Sequence, residues 1–232
     1  MIKRMAENLA ERLEKVREQI KLAAEKANRN ADEIKLVAVS KTHGAETVEE
    51  AIAAGAKVFG ENKVQEAEGK IADVGRSKAE WHLIGHLQSN KARKAVKLFD
   101  VIHSLDSCEL AERLERICEE AGREKLSVFV QVDLAKESTK NGIEEKDLPK
   151  LVEFLRRCKH LKFDGLMIVP PFFDDLEKVR PFFRRLREIR DEVCPRGELS
   201  MGMSHDFAAA IEEGATIIRV GTAIFGERNY RN

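Results

Sequence analysis

Residues 34–44 read IKLVAVSKTHG. Five of the first six positions are apolar, the pattern of a strand buried on both faces, and the run stops at Ser40-Lys41-Thr42. A buried ammonium is costly, so a lysine at the end of such a strand either turns out to water or has a partner or a task. What the rest of the chain builds around it decides between the two.

Working outward, the same kind of short apolar run recurs as KVFG (57–60), WHLIG (81–85), DVIHSL (100–105), SVFVQVDL (127–134), DGLMIV (164–169), ELSMGM (198–203) and TIIRVG (216–221). Helical patterns fill the gaps over 46–54, 62–72, 89–98, 107–121, 147–160, 174–193 and 205–213. Ser89 and Ser107 stand where N-caps belong, and Gly55, Gly122 and Gly214 just past helix ends. Pro181 predicts a kink, or a short helix followed by a longer one. Eight strands alternating with helices give an α/β chain with a parallel sheet inside its helices, and the number eight favours a closed (β/α)8 TIM barrel over an open sheet. Before it, Ile2, Met5, Leu9, Leu13, Val16, Ile20, Ala23 and Ala27 lie three or four apart, one apolar stripe on an extra N-terminal amphipathic helix that ends near NRN (28–30). The expectation is a single domain over 1–232, with the helix in 1–30 and the barrel in 34–226.

The 232 residues carry 41 basic and 41 acidic side chains, so bulk charge gives no support for nucleic-acid or membrane-surface binding. Cys108, Cys118, Cys158 and Cys194 form no CxxC pair; Cys118 and Cys158 read as buried free thiols, and the set as that of a reducing compartment. There is no apolar leader and no apolar run of membrane-spanning length, so the expected location is cytoplasmic.

In a barrel of this kind the chemistry sits at the C-terminal ends of the strands, and the loops after the last two strands are the usual phosphate site. SMGMSHD (200–206) ends the seventh expected strand with Gly202 and Ser204; RVGTAIFG (219–226) ends the eighth with Gly221 and Thr222. A phosphate there and a lysine after the first strand suggest pyridoxal phosphate, whose aldehyde forms a Schiff base with an ε-amine. By alternation Arg219 shares a face with Gly221, pointing inward, where it either donates to the pyridine nitrogen or pairs with a rim carboxylate. Facing the ring, an arginine cannot accept the pyridinium proton, which makes the ring a weaker electron sink.

The blocks LVAVSKT (36–42), FGENKVQEA (59–67), WHLIGHLQSNKA (81–92), HSLDS (103–107), GLMIVPP (165–171), LSMGMSHDFAAAIEEGAT (199–216) and RVGTAIFGER (219–228) resemble the pyridoxal phosphate homeostasis protein family, barrel relatives of the alanine racemase N-terminal domain (fold-type III pyridoxal phosphate proteins). The resemblance implies a protein that binds pyridoxal 5′-phosphate reversibly, acts in vitamin B6 and amino-acid homeostasis, and has no substantial turnover. It makes Lys41 the Schiff-base lysine, puts Ser204, Gly221 and Thr222 on the phosphate and Arg219 at the ring nitrogen, sets Asn62 beside the ring, and places Met201, Met203, His82 and Ile84 in the surrounding wall. The implied partners are the cofactor and apoenzymes that accept it, in a monomer or weak dimer. Three positions depart from the family pattern: His43-Gly44 after SKT, Lys63 after GEN, and Asp133 in the fifth strand.

Two rival functions remain open. A pyridoxal phosphate-dependent amino-acid racemase needs a second base opposite Lys41, and the one tyrosine is Tyr230, near the C-terminus. A cofactor-free Schiff-base aldolase explains Lys41 and the phosphate site but gives Arg219 no role. His82, His86 and His103 lack metal-ligand spacing, so no metal is expected. KARKAVK (91–97) and RRLREIR (184–190) read as solvated helix faces, and KESTKNG (136–142) as a surface loop or a lid.

Overall fold

The computed structural model describes residues 7–135 and 141–227, and there the expected strands close into a ring. In chain order they are β1 (Lys35–Val39), β2 (Val58–Glu61), β3 (Glu80–Leu83), β4 (Val101–Leu105), β5 (Leu126–Asp133), the two-residue β6 (Ile143–Glu144), β7 (Leu161–Met167), β8 (Glu198–Met203) and β9 (Ile217–Val220). All pairings are parallel, in the order β4-β3-β2-β1-β9-β8-β7-β5, and β4 pairs with β5 to complete the circle. The seam between the first and last strands sets Lys35 beside Ile217 and Ala38 beside Val220. β6 pairs only with β5, at Val132 and Asp133, and is too short to leave a periodic signal in the sequence.

Alternation sorts each strand's residues into two apolar clusters. Val37, Val58, Val101, Phe129, Met167 and Ile217 meet inside the ring. Their neighbours Ala38, Phe59, Ile102, Val128, Leu166 and Ile218 join the larger cluster under the helices. That outer layer is α1 (Leu9–Lys26), α2 (Ala45–Ala53), α3 (Val64–Val74), α4 (Ala92–Leu98), α5 (Cys108–Glu120), α6 (Leu148–Arg157), α7 (Leu176–Val193), α8 (Phe207–Glu212) and α9 (Thr222–Phe225).

Asn8 caps α1 in a reciprocal box with Glu11, and Leu9, Leu13, Val16 and Ile20 are buried along one stripe. Each such side chain contributes about 2 kcal/mol when removed from water. Arg12 Nε donates to Ile224 O at 2.6 Å, tying α1 to α9, and Arg29 Nη1, just past the helix, to Ala215 O at 2.7 Å ahead of β9. The expected Ile2 and Met5 lie outside the described residues.

Ser107 caps α5 by accepting from Leu110 N. Ser89 does not cap: a 3-10 turn over Ser89–Lys91 precedes α4, and Gln88 occupies the cap position. Gly55, Gly122 and Gly214 all have positive φ, the left-handed step after a helix that only glycine takes without strain. α7 is one uninterrupted helix through Pro181. The missing N–H falls early in the helix, with little more than one turn before it, and the helix is not split in two. Cys118 is buried, but Cys158 is half-exposed because α6 stops at Arg157 and leaves it as the C-cap. The two basic runs lie on α4 and α7 with exposed ion pairs such as Arg93–Glu120 and Arg185–Glu145. Among the described residues no helix is long and apolar enough to cross a membrane.

Candidate functional site

The C-terminal ends of the strands surround a cavity of about 320 Å³. In β1 the inward parity runs Val37, Val39, Lys41, so the lysine that closes the opening stretch lines the cavity and not the outer surface. Asn62 follows β2, Ile84 follows β3, and Arg219, Gly221 and Thr222 come from β9 and its loop; all of them line the same space, with Met203 and Ser204 from the end of β8.

Two expected wall residues are elsewhere. Met201 is fully buried in the cluster under the helices. Strict alternation would give Met201 and Met203 one face, but the register with β9 shifts between Ser200 and Met203, and Gly202 turns the chain at φ 93°. His82 is fully buried in the barrel interior, with Nδ1 2.8 Å from His103 Nε2 and Nε2 2.8 Å from Glu80 Oε1. Both its nitrogens are occupied away from the mouth. Conversely, Val39, His43, Val169, Phe172, His205 and Gly226 line the cavity and were not expected there. Val39 was legible from parity with Lys41, and Val169 from parity with the inward Met167 in the run DGLMIV; the others sit in loops, where no period exists to read.

The lysine loop is held from behind. Ser40 O accepts from His43 N at 3.1 Å and from Lys70 Nζ at 2.7 Å. The Lys70 ammonium also meets Glu61 Oε1 at 2.6 Å, and Ser40 Oγ donates to that same oxygen at 2.6 Å. Glu61 is wholly buried, and burial pushes its carboxyl upward against the pull of Lys70. Thr42 adopts φ 70°, unusual for a β-branched residue, and its N–H donates to Glu66. A strained bend of this kind costs about 1–3 kcal/mol and persists only where its surroundings enforce it. Nothing in the apolar periodicity announced Glu61 or Lys70.

On the adjoining side of the mouth, across the β1–β9 seam, Ser204 Oγ accepts from Gly221 N at 3.1 Å and Ala223 N at 3.4 Å, which joins the loops after β8 and β9. Arg219 is buried, donating through Nη1 to Ser200 Oγ at 2.7 Å and through Nη2 to Ile168 O at 2.8 Å. Both acceptors are neutral, so the rim-carboxylate pairing is not seen among the described residues. Burial brings the guanidinium down to about 10, with Asp206 opposing at a distance. Asp206 itself is engaged as acceptor from Met203 N at 2.6 Å. Asn62 Oδ1 is buried at the cavity wall without a hydrogen-bond partner.

At the rim, Phe172 is 73% exposed and meets His205 in a tilted ring contact with centroids 5.2 Å apart. The three departures lie just past or at the C-terminal ends of β1, β2 and β5, and His43 lines the cavity itself. His43 packs on Phe225 at 5.0 Å, Lys63 precedes α3 as its cap, and Asp133 Oδ1 accepts from Ala135 N. His86 pairs with Asp106 at 3.3 Å, and no group of three metal-ligating side chains gathers among the described residues. Chemically the cavity offers a primary amine for a carbonyl carbon, hydroxyls and backbone amides for a phosphate, and a fixed cationic donor for a ring acceptor. The described residues thus form a closed parallel barrel with one cavity at the C-terminal ends of its strands, lined by an amine, hydroxyls and a buried guanidinium.

The profile of the family described as alanine racemase, N-terminal domain, matches residues 12–229. The pyridoxal phosphate homeostasis protein of Aquifex aeolicus is 43% identical over 96% of this chain and 100% of its own length. That of Pseudomonas aeruginosa is 43% identical over 96% of both chains, and that of Escherichia coli 38% over 96% of this chain and 98% of its own. The chain belongs to the pyridoxal phosphate homeostasis protein family. Among solved structures, PipY of Synechococcus elongatus with PLP bound superposes with a TM-score of 0.83 at 41% identity, over 94% of this chain and 100% of that one. Alanine racemase of Clostridium difficile, 18% identical with a TM-score of 0.71, covers 97% of this chain and 58% of its own; the likeness is one of fold.

Proposed function

We propose that this chain binds pyridoxal 5′-phosphate at the barrel mouth and holds it reversibly for vitamin B6 and amino-acid homeostasis, without substantial turnover of its own. The supporting observation is the convergence of Lys41, Arg219, Asn62 and the Ser204–Gly221–Thr222 cup on one cavity. The fit has a test in the buried Asn62 Oδ1, an acceptor without a donor, which suits the ring hydroxyl of the cofactor. When bound, the cofactor supplies an aldehyde that condenses reversibly with an amine, here that of Lys41.

The protein's own contribution is placement. Lys70, Glu61 and Glu66 fix the bend that carries Lys41. The Ser204 hydroxyl, held by the Gly221 amide, and Thr222 suit the phosphate, and Arg219 supplies a donor that takes no proton from the ring. Family membership and the PLP-bound PipY relative support this reading over racemisation. The four thiols, all free, accord with the cytoplasm, and apoenzymes that need the cofactor are the recipients we assign.

The experiment is borohydride reduction of the protein incubated with pyridoxal phosphate, followed by peptide mass mapping. Label on Lys41 is expected, together with negligible interconversion of L- and D-amino acids in chiral chromatography. Label confined to other lysines overturns the site, and racemisation on the order of 1 s⁻¹ overturns the carrier role.

A further inference from the structure

The ring interior below the mouth holds a line of polar groups where a barrel core is ordinarily filled by branched apolar side chains. Arg219 Nη1 donates to Ser200 Oγ at 2.7 Å, and Ser200 Oγ is 2.8 Å from His103 Nδ1. His103 Nε2 is 2.8 Å from His82 Nδ1, and His82 Nε2 is 2.8 Å from Glu80 Oε1. Lys35 Nζ closes the line at 3.3 Å from that same carboxylate oxygen. Ser200, His82 and His103 are fully buried, and His103 lies flat on Phe129 with centroids 4.6 Å apart. The line therefore crosses the barrel from β9 at the cavity to Glu80, the first residue of β3, on the barrel floor.

The protons of this line have one consistent arrangement. A carboxylate only accepts, so His82 Nε2 carries the hydrogen that reaches Glu80. A neutral His82 then accepts at Nδ1, so His103 donates from Nε2. His103 in turn accepts at Nδ1, which leaves Ser200 to donate its hydroxyl hydrogen there while its oxygen accepts from Arg219. Both imidazoles are neutral in this scheme. Burial favours that form, opposed at His82 by Glu80 and Asp100 and reinforced at His103 by Arg219 and Lys35. Every donor from Arg219 to His82 points toward the floor, so each of those lone pairs faces back toward the buried cation, while Lys35 donates to Glu80 from the far end.

We propose that Ser200, His103, His82 and Glu80 are positioning residues for Arg219, a one-way hydrogen-bonded column that holds the guanidinium as a fixed donor toward the ring nitrogen of the ligand at the mouth. The ring-nitrogen role rests on the function proposed above; the proton arrangement does not. The column gives Arg219 its place without a contacting carboxylate. A carboxylate beside the ring would attract a proton to it.

Two measurements test this. In ligand-free protein labelled with 15N-histidine, His82 and His103 are each expected to show a bare Nδ1 and a protonated Nε2. A charged imidazole, or a hydrogen on Nδ1 of either ring, overturns the column. Second, Ser200→Ala is expected to weaken pyridoxal phosphate about tenfold, the size of one charge-assisted hydrogen bond, while leaving affinity unchanged for the analogue with CH in place of the ring nitrogen. Equal loss for both ligands, or loss for neither, overturns the positioning role. Should the wild-type protein bind neither ligand, the proposed function fails while the NMR result still decides the column. Glu80→Gln lies on the half-exposed floor and leaves the buried side chains intact. Its amide can donate as well as accept, so Nδ1–H signals are expected to appear; an unchanged single tautomer overturns Glu80 as the anchor.

Discussion

Lys70 Nζ lies 2.6 Å from Glu61 Oε1 with the two side chains 4% and 0% exposed, and the same ammonium grips the carbonyl of Ser40, one residue before Lys41. The pair is thus a buried brace for the lysine loop. Replacing only Lys70 by methionine leaves a buried carboxylate whose second oxygen already lacks a partner. Lys70→Met is expected to cost about 3–5 kcal/mol in urea unfolding. Lys70→Met combined with Glu61→Leu is expected to cost less than the sum of the two single changes.

Gly85 sits against the backbone of Asn62, where an added Cβ would come within 2.3 Å of Asn62 O. Backbone has to move to admit it. Gly85→Ala is expected to lower stability by about 2–4 kcal/mol and, by shifting Asn62, to weaken pyridoxal phosphate binding. Thermal melting and equilibrium dialysis measure the two effects, and unchanged values in both would contradict the close approach.

The phosphate cup gives a selective prediction. Ser204→Ala removes a hydroxyl that gathers the amides of Gly221 and Ala223. Affinity for pyridoxal phosphate should fall about tenfold, while that for unphosphorylated pyridoxal stays level. Fluorescence titration with the two compounds checks the contrast.

Acid should act through the buried imidazoles. His82 and His103 have folded-state values below the 6.5 of the unfolded chain, chiefly through burial. Below about pH 6.5 the unfolded chain therefore binds more protons than the folded one, and stability falls as pH falls. The slope approaches about 1.4 kcal/mol per pH unit for each imidazole. Glu80, held at about 2 by the His82 hydrogen bond, works on a different window. Its contribution is present above the ordinary 4.5 and is lost only as pH drops toward 2. Urea midpoints measured from about pH 7 to pH 5 report the imidazole part; a flat profile would mean the folded rings take up protons as readily as the unfolded ones, and stability rising toward pH 5 that they are charged in the folded state.

Much of this architecture was readable because period reports burial. Lys41 and Arg219 reached the cavity through simple parity with Val39 and Gly221, and the eight strands came from apolar runs. Alternation holds through Met201, which the resemblance had placed in the wall but which faces outward beside the inward Ser200; it breaks at Met203, brought to the cavity after a register shift and Gly202, and sequence spacing cannot show a bulge. Glu61, Lys70, Ser200, His103 and Glu80 were silent for a different reason. Each is a polar residue inside an otherwise ordinary strand or helix, and each has at least one partner on a different element. The Phe172–His205 rim lies in loops. KESTKNG from 136 to 140 and Tyr230 lie outside the described residues.

The seam between β1 and β9 has a consequence for biosynthesis. The amine comes from the opening stretch and the cup from the closing one, so a nascent chain on the ribosome carries the hook long before its counterpart emerges. Capture by Lys41 and the cup, as proposed, would therefore wait until β9 has joined β1. Saturating vitamin should act as a clasp across that seam, slowing the unzipping of the two termini more than it slows fraying elsewhere.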